Sequence, residues 1–492
     1  MTNQHLIKKR AFLSLICAGL VAACGGGGNT GNQGTTATGQ TGSSGSSGSP
    51  GSAGSSGGTS TNAQVPSIET QPADATVATD SSASLSVTAS GADPLSYQWR
   101  RNGVAIVSAT SATYTTPALA VADGGSKYDV VVTGSGGSVT SSVATVTVTL
   151  HSGFNRLIGL QKTAGASDGD STSALFNAPA GTVTDTNGNI FVADAGNFAI
   201  RKISPAYAVT TLAGQAGASG FQDGTGSGAL FGGTGEWIGG HVLNGSTPVP
   251  TSDTTVRAPQ IVSLDTDQNV LLADAAHNVL RKVTQAGVVT TFAGTPNTPG
   301  TSDGATSTAL LNLPLNVAAG GTTTYFVDVV LPATSSGSGE NYSIRKVTSA
   351  AQASTVSRAW TSVVNEPIAG LAFSAGTLYF ISSATTTAAS NGLYRLNQDG
   401  TATILAGDTG SAVPMLLGSP RFLTAGGDGM LYVVEGPLTK IYRVSPTGTV
   451  TLLFDYSSSG LPGALGGMSV TGDNKNLLVT IDNALFLLPL PN

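Results

Sequence analysis

GNIFVADAGNFAIRKIS (residues 188–204), NVLLADAAHNVLRKVT (269–284) and ENYSIRKVT (340–348) write one pattern three times. The first two open with a short apolar run, turn through polar residues and resume with an apolar residue followed by Arg-Lys. Two short strands around a turn fit that pattern, and its recurrence points to an internal repeat rather than an isolated hairpin.

The spacing can be measured outward from there. Pro179, Pro259, Pro314, Pro367 and Pro420 are each followed 11 residues later by a strand starter: Ile190, Val270, Tyr325, Leu378 and Leu431. A third strand is marked by Ile200, Leu280, Ile344, Leu393 and Ile441. A fourth lies 12 residues beyond each of these, at Leu212, Phe292, Val356, Leu405 and Leu453. Four short strands per unit, recurring at 44 to 80 residues, predict the blades of a β-propeller.

A sixth unit, GGMSVTG (466–472), NLLVTI (476–481) and ALFLLPL (484–490), ends before an outer strand can form. The missing strand is expected from the other end of the region. RLIG (156–159) aligns without gaps with TLAG (211–214) and TFAG (291–294), and an Asp-Gly follows each at Asp168, Asp223 and Asp303. Leu157 therefore falls where an outer-strand residue belongs. Six blades over 154–492, closed by an N-terminal strand, are predicted; closure removes the free edge. Each Asp-Gly is expected to be a turn in which the Asp caps its own backbone, because calcium needs six or more converging oxygens. The repeated Arg-Lys pairs are expected to meet carboxylates such as Asp194 and Asp274.

DGTGSGALF, NAPAG, DTNGNIFVADAGN, AIRKISP and VTTLAG resemble NHL repeats, best in the first two blades. The pattern departs from the family at its Asn-His pair, which here reads Asn197-Phe198, His277-Asn278 and Asn341-Tyr342. Relatives on that fold include protein-binding modules, a peptide-amidating lyase and sensors, so the resemblance implies a scaffold without assigning an activity.

Upstream, Lys8, Lys9 and Arg10 precede an apolar run that ends in Val21-Ala22-Ala23-Cys24. This is the build of an export signal (1–23), and it resembles the bacterial lipobox. The resemblance implies cleavage before Cys24 and lipidation of that residue. Gly25 beside it resembles lipoproteins sent to the outer membrane of a Gram-negative cell, facing either periplasm or exterior. The mature chain would carry 18 basic against 27 acidic side chains, a net charge of −9. With no dense basic stretch, nucleic acid is not an expected partner. Residues 24–64 hold no charged side chain and little besides Gly, Ser, Thr, Asn and Gln. Such a segment is expected to be a disordered tether, spanning on the order of 35 Å as a flexible coil.

Residues 65–150 alternate with period two, as in SLSVTAS (84–90), LSYQWRR (95–101) and SKYDVVVTG (126–134), which predicts an antiparallel β-sandwich. The segment resembles bacterial immunoglobulin-like domains. That resemblance implies Trp99 as the core tryptophan and Tyr128 as the tyrosine corner, with Val87 and Val130 where relatives place a disulfide. The whole chain is thus expected to be all-β.

Loop lengths point to a face. The spacings that place connections 1–2 and 3–4 on one side of the ring are constant. Those on the other side vary, at 10, 10, 19, 15 and 10 within blades and 22, 47, 22, 11 and 15 between them. The longest insertion (232–256) carries Glu236, Trp237 and His241, the candidate binding residues, although Trp237 serves equally well as an anchor for its own loop. Catalysis has little support. His151, His241 and His277 are the histidines after Cys24, and His151 lies between the domains. No metal or cofactor is expected. The leading expectation is a non-catalytic, lipid-anchored binding protein for an envelope protein or glycan. A structural envelope component and a propeller hydrolase or lyase are the alternatives.

Overall fold

The computed structural model describes residues 64–232, 261–330, 341–356, 368–382, 391–407, 420–435, 440–456, 463 and 465–491. The export signal, Cys24, nearly all of the tether, Pro259 and Pro367 lie outside them. The described chain is all-β, built from many small antiparallel sheets.

From residue 155 onward the described strands form six sheets. Blade 1 runs Pro179–Thr184, Ile190–Asp194, Ala199–Ile203 and Val209–Gly214, from the inner to the outer strand. Blades 2 and 3 repeat this from Val262–Leu264 and Pro314–Gly320, each with a short fifth strand on its outer edge, Gly224–Thr225 and Gly304–Ala305. Blades 4 and 5 begin at Ile368–Ser374 and Pro420–Ala425. The sixth sheet joins Leu465–Val470, Asn476–Ile481 and Ala484–Pro489 to the strand Asn155–Gly159. Inner strands contact inner strands from blade 1 to blade 6 and back to blade 1, a closed circuit. This is a β-propeller.

The repeat exists because neither face of a blade is wet. Phe191 packs toward blade 2, in a cluster with Val270 and Leu272, while its neighbour Val192 packs toward blade 6 with Leu478 and Leu485. The same division recurs around the ring, giving six cores, each between two adjacent blades. A lone four-stranded sheet would leave both apolar faces exposed; stacking buries them.

Closure uses chain from both ends. Asn155 pairs with Leu487, Arg156 with Phe486 and Ile158 with Leu485, leaving Leu157 as the extra residue of a β-bulge. The residues that mark outer strands in the sequence recur at that position: Leu212, Phe292, Leu405 and Leu453 are likewise skipped in the pairing. A bulge sharpens the twist of the outer strand and spoils its edge as a template for other chains. The glycine ending the strand has a separate cause. Gly214 and Gly294 have φ of 95° and 101°, and a Cβ there would sit 2.3 and 2.6 Å from the carbonyl oxygens of Phe198 and Asn278. Only glycine fits a left-handed turn pressed against backbone.

Between Ser67 and Thr149 the strands pair only with one another. A large sheet carries Ser96–Arg101 beside Ser126–Gly134 and Ala144–Thr149, and two two-stranded sheets make up the rest of this segment. The stretch 84–90, read as one strand, divides at Val87 into Ser84–Ser86 and Thr88–Ser90, which belong to different sheets. Val87 itself donates its N–H to Ala112 and packs into the core with Trp99, Tyr128 and Val130. Trp99 is fully buried and its indole N–H donates to the Ser111 carbonyl at 2.9 Å.

Candidate binding face

The repeated charges are where chemistry would be sought first, and they are internally paired. Arg201 Nη1 donates to Asp194 Oδ2 (2.7 Å) and the Leu175 carbonyl; Nη2 donates to Asp168 Oδ1 (2.9 Å) and the Ser167 carbonyl. The guanidinium lies 5.1 Å from the centre of the Phe176 ring. Arg281 repeats the set with Asp274, Asp223 and two carbonyls, and Arg345 with Asp328, Asp303 and two carbonyls. All three side chains are essentially inaccessible to water. A charge so buried is tolerated only when it is paired and hydrogen-bonded.

This revises the reading of the Asp-Gly motif. Asp168 does not cap its own turn. It also accepts from the backbone N–H and hydroxyl of Thr211 on the outer strand, as Asp223 does from Thr291 and Asp303 from Thr355. Each Asp-Gly therefore latches the segment ahead of a blade onto that blade's outer edge. Burial pulls the Asp303 carboxyl upward, but the Thr355 and Arg345 hydrogen bonds outweigh it and hold Asp303 below the ordinary carboxylate range. Burial dominates at Asp194 and Asp328, which are pushed up despite their arginine partners.

Blades 4 to 6 depart from this chemistry. At the arginine position stand Tyr394, Tyr442 and Phe486, and at the Asp194 position stand Ser382, Glu435 and Ile481. Tyr394 stacks on Phe380 at 5.1 Å, and Tyr442 donates to Glu435 at 3.0 Å.

The axis of the ring offers little acid. Thr182 and Ser469 share a hydrogen bond across the closing seam, Ser263 Oγ accepts from Ala319 N, and Thr480 donates to the Ala180 carbonyl. Among the described residues the inner strands carry one charged side chain, Arg421, whose pKa burial lowers. Asp185 and Asp265, just beyond inner strands, accept N–H groups of their own hairpins, from Asn187 and Asn189 and from Asp267 and Asn269. These Asx turns hold the 1–2 hairpins of blades 1 and 2; blades 3 and 4 make the same connection through the tight turns Gly320–Thr323 and Ser374–Thr377. No group of three or more His, Cys, Asp or Glu among the described residues could hold a metal ion.

On the variable face, the second strands of blades 1 and 2 lead into single 3-10 turns, Ala195–Asn197 and Ala275–His277. Asn197 donates to Asp194, and at the matching position His277 Nδ1 lies 2.9 Å from Asp274 Oδ1 with its ring 5.4 Å from Phe221. Glu236, Trp237 and His241 lie outside the described residues. His151 lies just before the strand Asn155–Gly159, and its backbone N–H donates to the Asn155 side chain at 2.9 Å.

No protein-family model matches the chain, and no curated protein matches it. Similar solved structures include a protein of unknown function from Bacteroides thetaiotaomicron, with 13% identity over 86% of this chain and 98% of that one, TM-score 0.44. An auxiliary nutrient binding protein from the same organism shows 10% identity over 86% and 97%, TM-score 0.43. A gluconolactonase from Xanthomonas campestris shows 14% identity over 64% and 87%, TM-score 0.42.

Proposed function

We propose that this chain is a lipid-anchored envelope protein whose propeller is a non-catalytic binding scaffold, with the face of variable connections as its recognition surface. In this reading the propeller is a six-bladed NHL type over residues 154–492, residues 65–150 are immunoglobulin-like, and residues 24–64 tether both to acylated Cys24 at the outer membrane. One observation carries the functional part: the repeated arginines Arg201, Arg281 and Arg345 and their six carboxylates are consumed within single blades and in latching the preceding segment onto each. Recognition then falls to what varies, which is the length and content of connections on one rim.

The partner is a protein or glycan of the cell envelope, and Glu236, Trp237 and His241 on the longest insertion are the contact candidates. The full chain, immobilised through its C-terminus, is to be compared with a variant lacking 232–256 on arrays of envelope glycans and envelope-protein ectodomains. Loss of a specific ligand from the deletion variant, with an unchanged thermal transition, is expected. Equal retention by both forms would overturn the rim assignment.

A further inference from the structure

The outer edge of a blade is latched in the same way three times, and the sixth blade reveals where its own latch comes from. In blades 1 and 2, the residue preceding the bulge, Thr211 or Thr291, takes an aspartate arriving from outside the blade: Asp168 or Asp223. In the closing strand of blade 6, Arg156 holds the aligned position, in RLIG against TLAG and TFAG. Its partner is also an aspartate, but one from the other domain. Arg156 Nε donates to Asp80 Oδ1 at 3.0 Å and Nη2 donates to the Ala118 carbonyl at 2.7 Å.

The geometry points to the N-terminal sandwich as the clasp that holds the propeller closed, supplying blade 6 with the edge latch that blades 1 to 3 draw from their own Asp-Gly segments. Two further contacts converge on the same strand, and a third fastens the sandwich to the segment that follows it. The single 3-10 turn of the sandwich, Val121–Asp123, packs on Asn155–Gly159, and Val121 joins the core cluster of Leu157, Ile158 and Leu485. Asp123, itself buried, accepts from Arg101 at 2.8 Å and from the hydroxyl of Ser171 in the propeller, while Arg101 also reaches Ser171 at 3.3 Å. Asn155, fully buried, ties the interdomain turn to blade 6 by donating to the carbonyls of His151, Gly153 and Leu487.

The physical logic is that of an exposed edge. A closing strand contributed by the far end of the chain is held to blade 6 along one side only, and an uncovered outer edge frays. Covering it with a folded domain makes opening the ring require separating the domains as well. The sandwich is then part of the propeller's closure rather than a spacer hung on a free joint.

The test is amide hydrogen exchange on the full chain, read by mass spectrometry in peptides covering 155–159 and 484–489. Asp80→Asn is the diagnostic variant, because Asp80 is surface-accessible and has φ of 62°, which Asn tolerates. Arg156→Gln and the double variant complete a cycle, and Arg100→Gln, which breaks the sandwich's own Arg100–Asp129 pair, is the control. Either single variant should speed exchange in both peptides roughly 3- to 10-fold, the range for one lost hydrogen-bonded contact, with the double no faster than Arg156→Gln. The control should leave the two peptides unchanged. Unaltered exchange in Asp80→Asn, additive effects in the double variant, or equal acceleration in all six blades would overturn the assignment.

Discussion

Replacing Arg345 by methionine tests the buried latches most sharply. The guanidinium makes four hydrogen bonds, and one of its partners, Asp328, is wholly inaccessible to water. Removing the cation strands that carboxylate, leaving it only backbone hydrogen bonds, from Asn312 N at 2.9 Å and from Leu313. Loss of one partner from a buried pair costs about 3–5 kcal/mol. With an unfolding entropy near 2.1 cal/mol/K per residue over the propeller, that corresponds to a fall in Tm of about 4 to 7 °C. The structure also supplies the repair. Blade 4 places Tyr394 and Ser382 at these two positions and stacks the tyrosine on Phe380. Blade 3 has Phe326 at the site matching Phe380, paired across from Arg345. The double variant D328S/R345Y should therefore recover all but about 1.5 kcal/mol, since a buried ion pair is often replaceable by well-packed neutral groups. Urea unfolding followed by tryptophan fluorescence and circular dichroism gives both values. A loss below about 1 kcal/mol for R345M, or a double variant as damaged as the single, refutes the view that the charge is retained by pairing.

Three other outcomes are expected. Because Asp303 is held below its ordinary range, its contribution to stability is present above about pH 4, the unfolded value, and is lost as pH falls through the lower folded value. Asp303→Asn should thus be less stable at neutral pH and show a flatter acid limb in unfolding titrations; Asp328, pushed up by burial, contributes with the opposite sign. Gly294→Ala should destabilise by about 2 kcal/mol or more, since its Cβ meets the Asn278 carbonyl oxygen, whereas Gly321→Ala, with φ of 61° and open space, should cost about 1 kcal/mol in the same melts. Cys24→Ser should abolish palmitate labelling in a Gram-negative host and release the protein from the membrane fraction; labelling that persists sinks the anchor.

Much of the ring was legible because its determinants are local and periodic. A strand starter 11 residues after each proline reports a short hairpin, pinned in blades 1 and 2 by an Asx turn, and RLIG aligned with TLAG because the same bulge and the same left-handed glycine terminate both outer strands. The latches were harder to read. Asp194 lies only seven residues from Arg201 and is legible as its partner, but the second carboxylate, Asp168, lies 33 residues upstream, and the corresponding separations are 58 and 42 in the next blades. Contacts of varying separation leave no period to detect. The threonines at 211, 291 and 355 are the signal that was available, each at a constant distance from its arginine. The Asp80–Arg156 bridge joins segments of different pattern, so nothing repeats to announce it.

The most direct test of the central claim, that the strand at 155–159 completes the sixth blade, is a cross-link between paired positions. Ile158 and Leu485 stand opposite one another and are both fully buried. In a background lacking Cys17 and Cys24, Ile158→Cys/Leu485→Cys should oxidise to one intramolecular disulfide, recovered as a single linked peptide by mass spectrometry, with native circular dichroism retained. Two free thiols under the same oxidation, or a bond formed only between molecules, would contradict it.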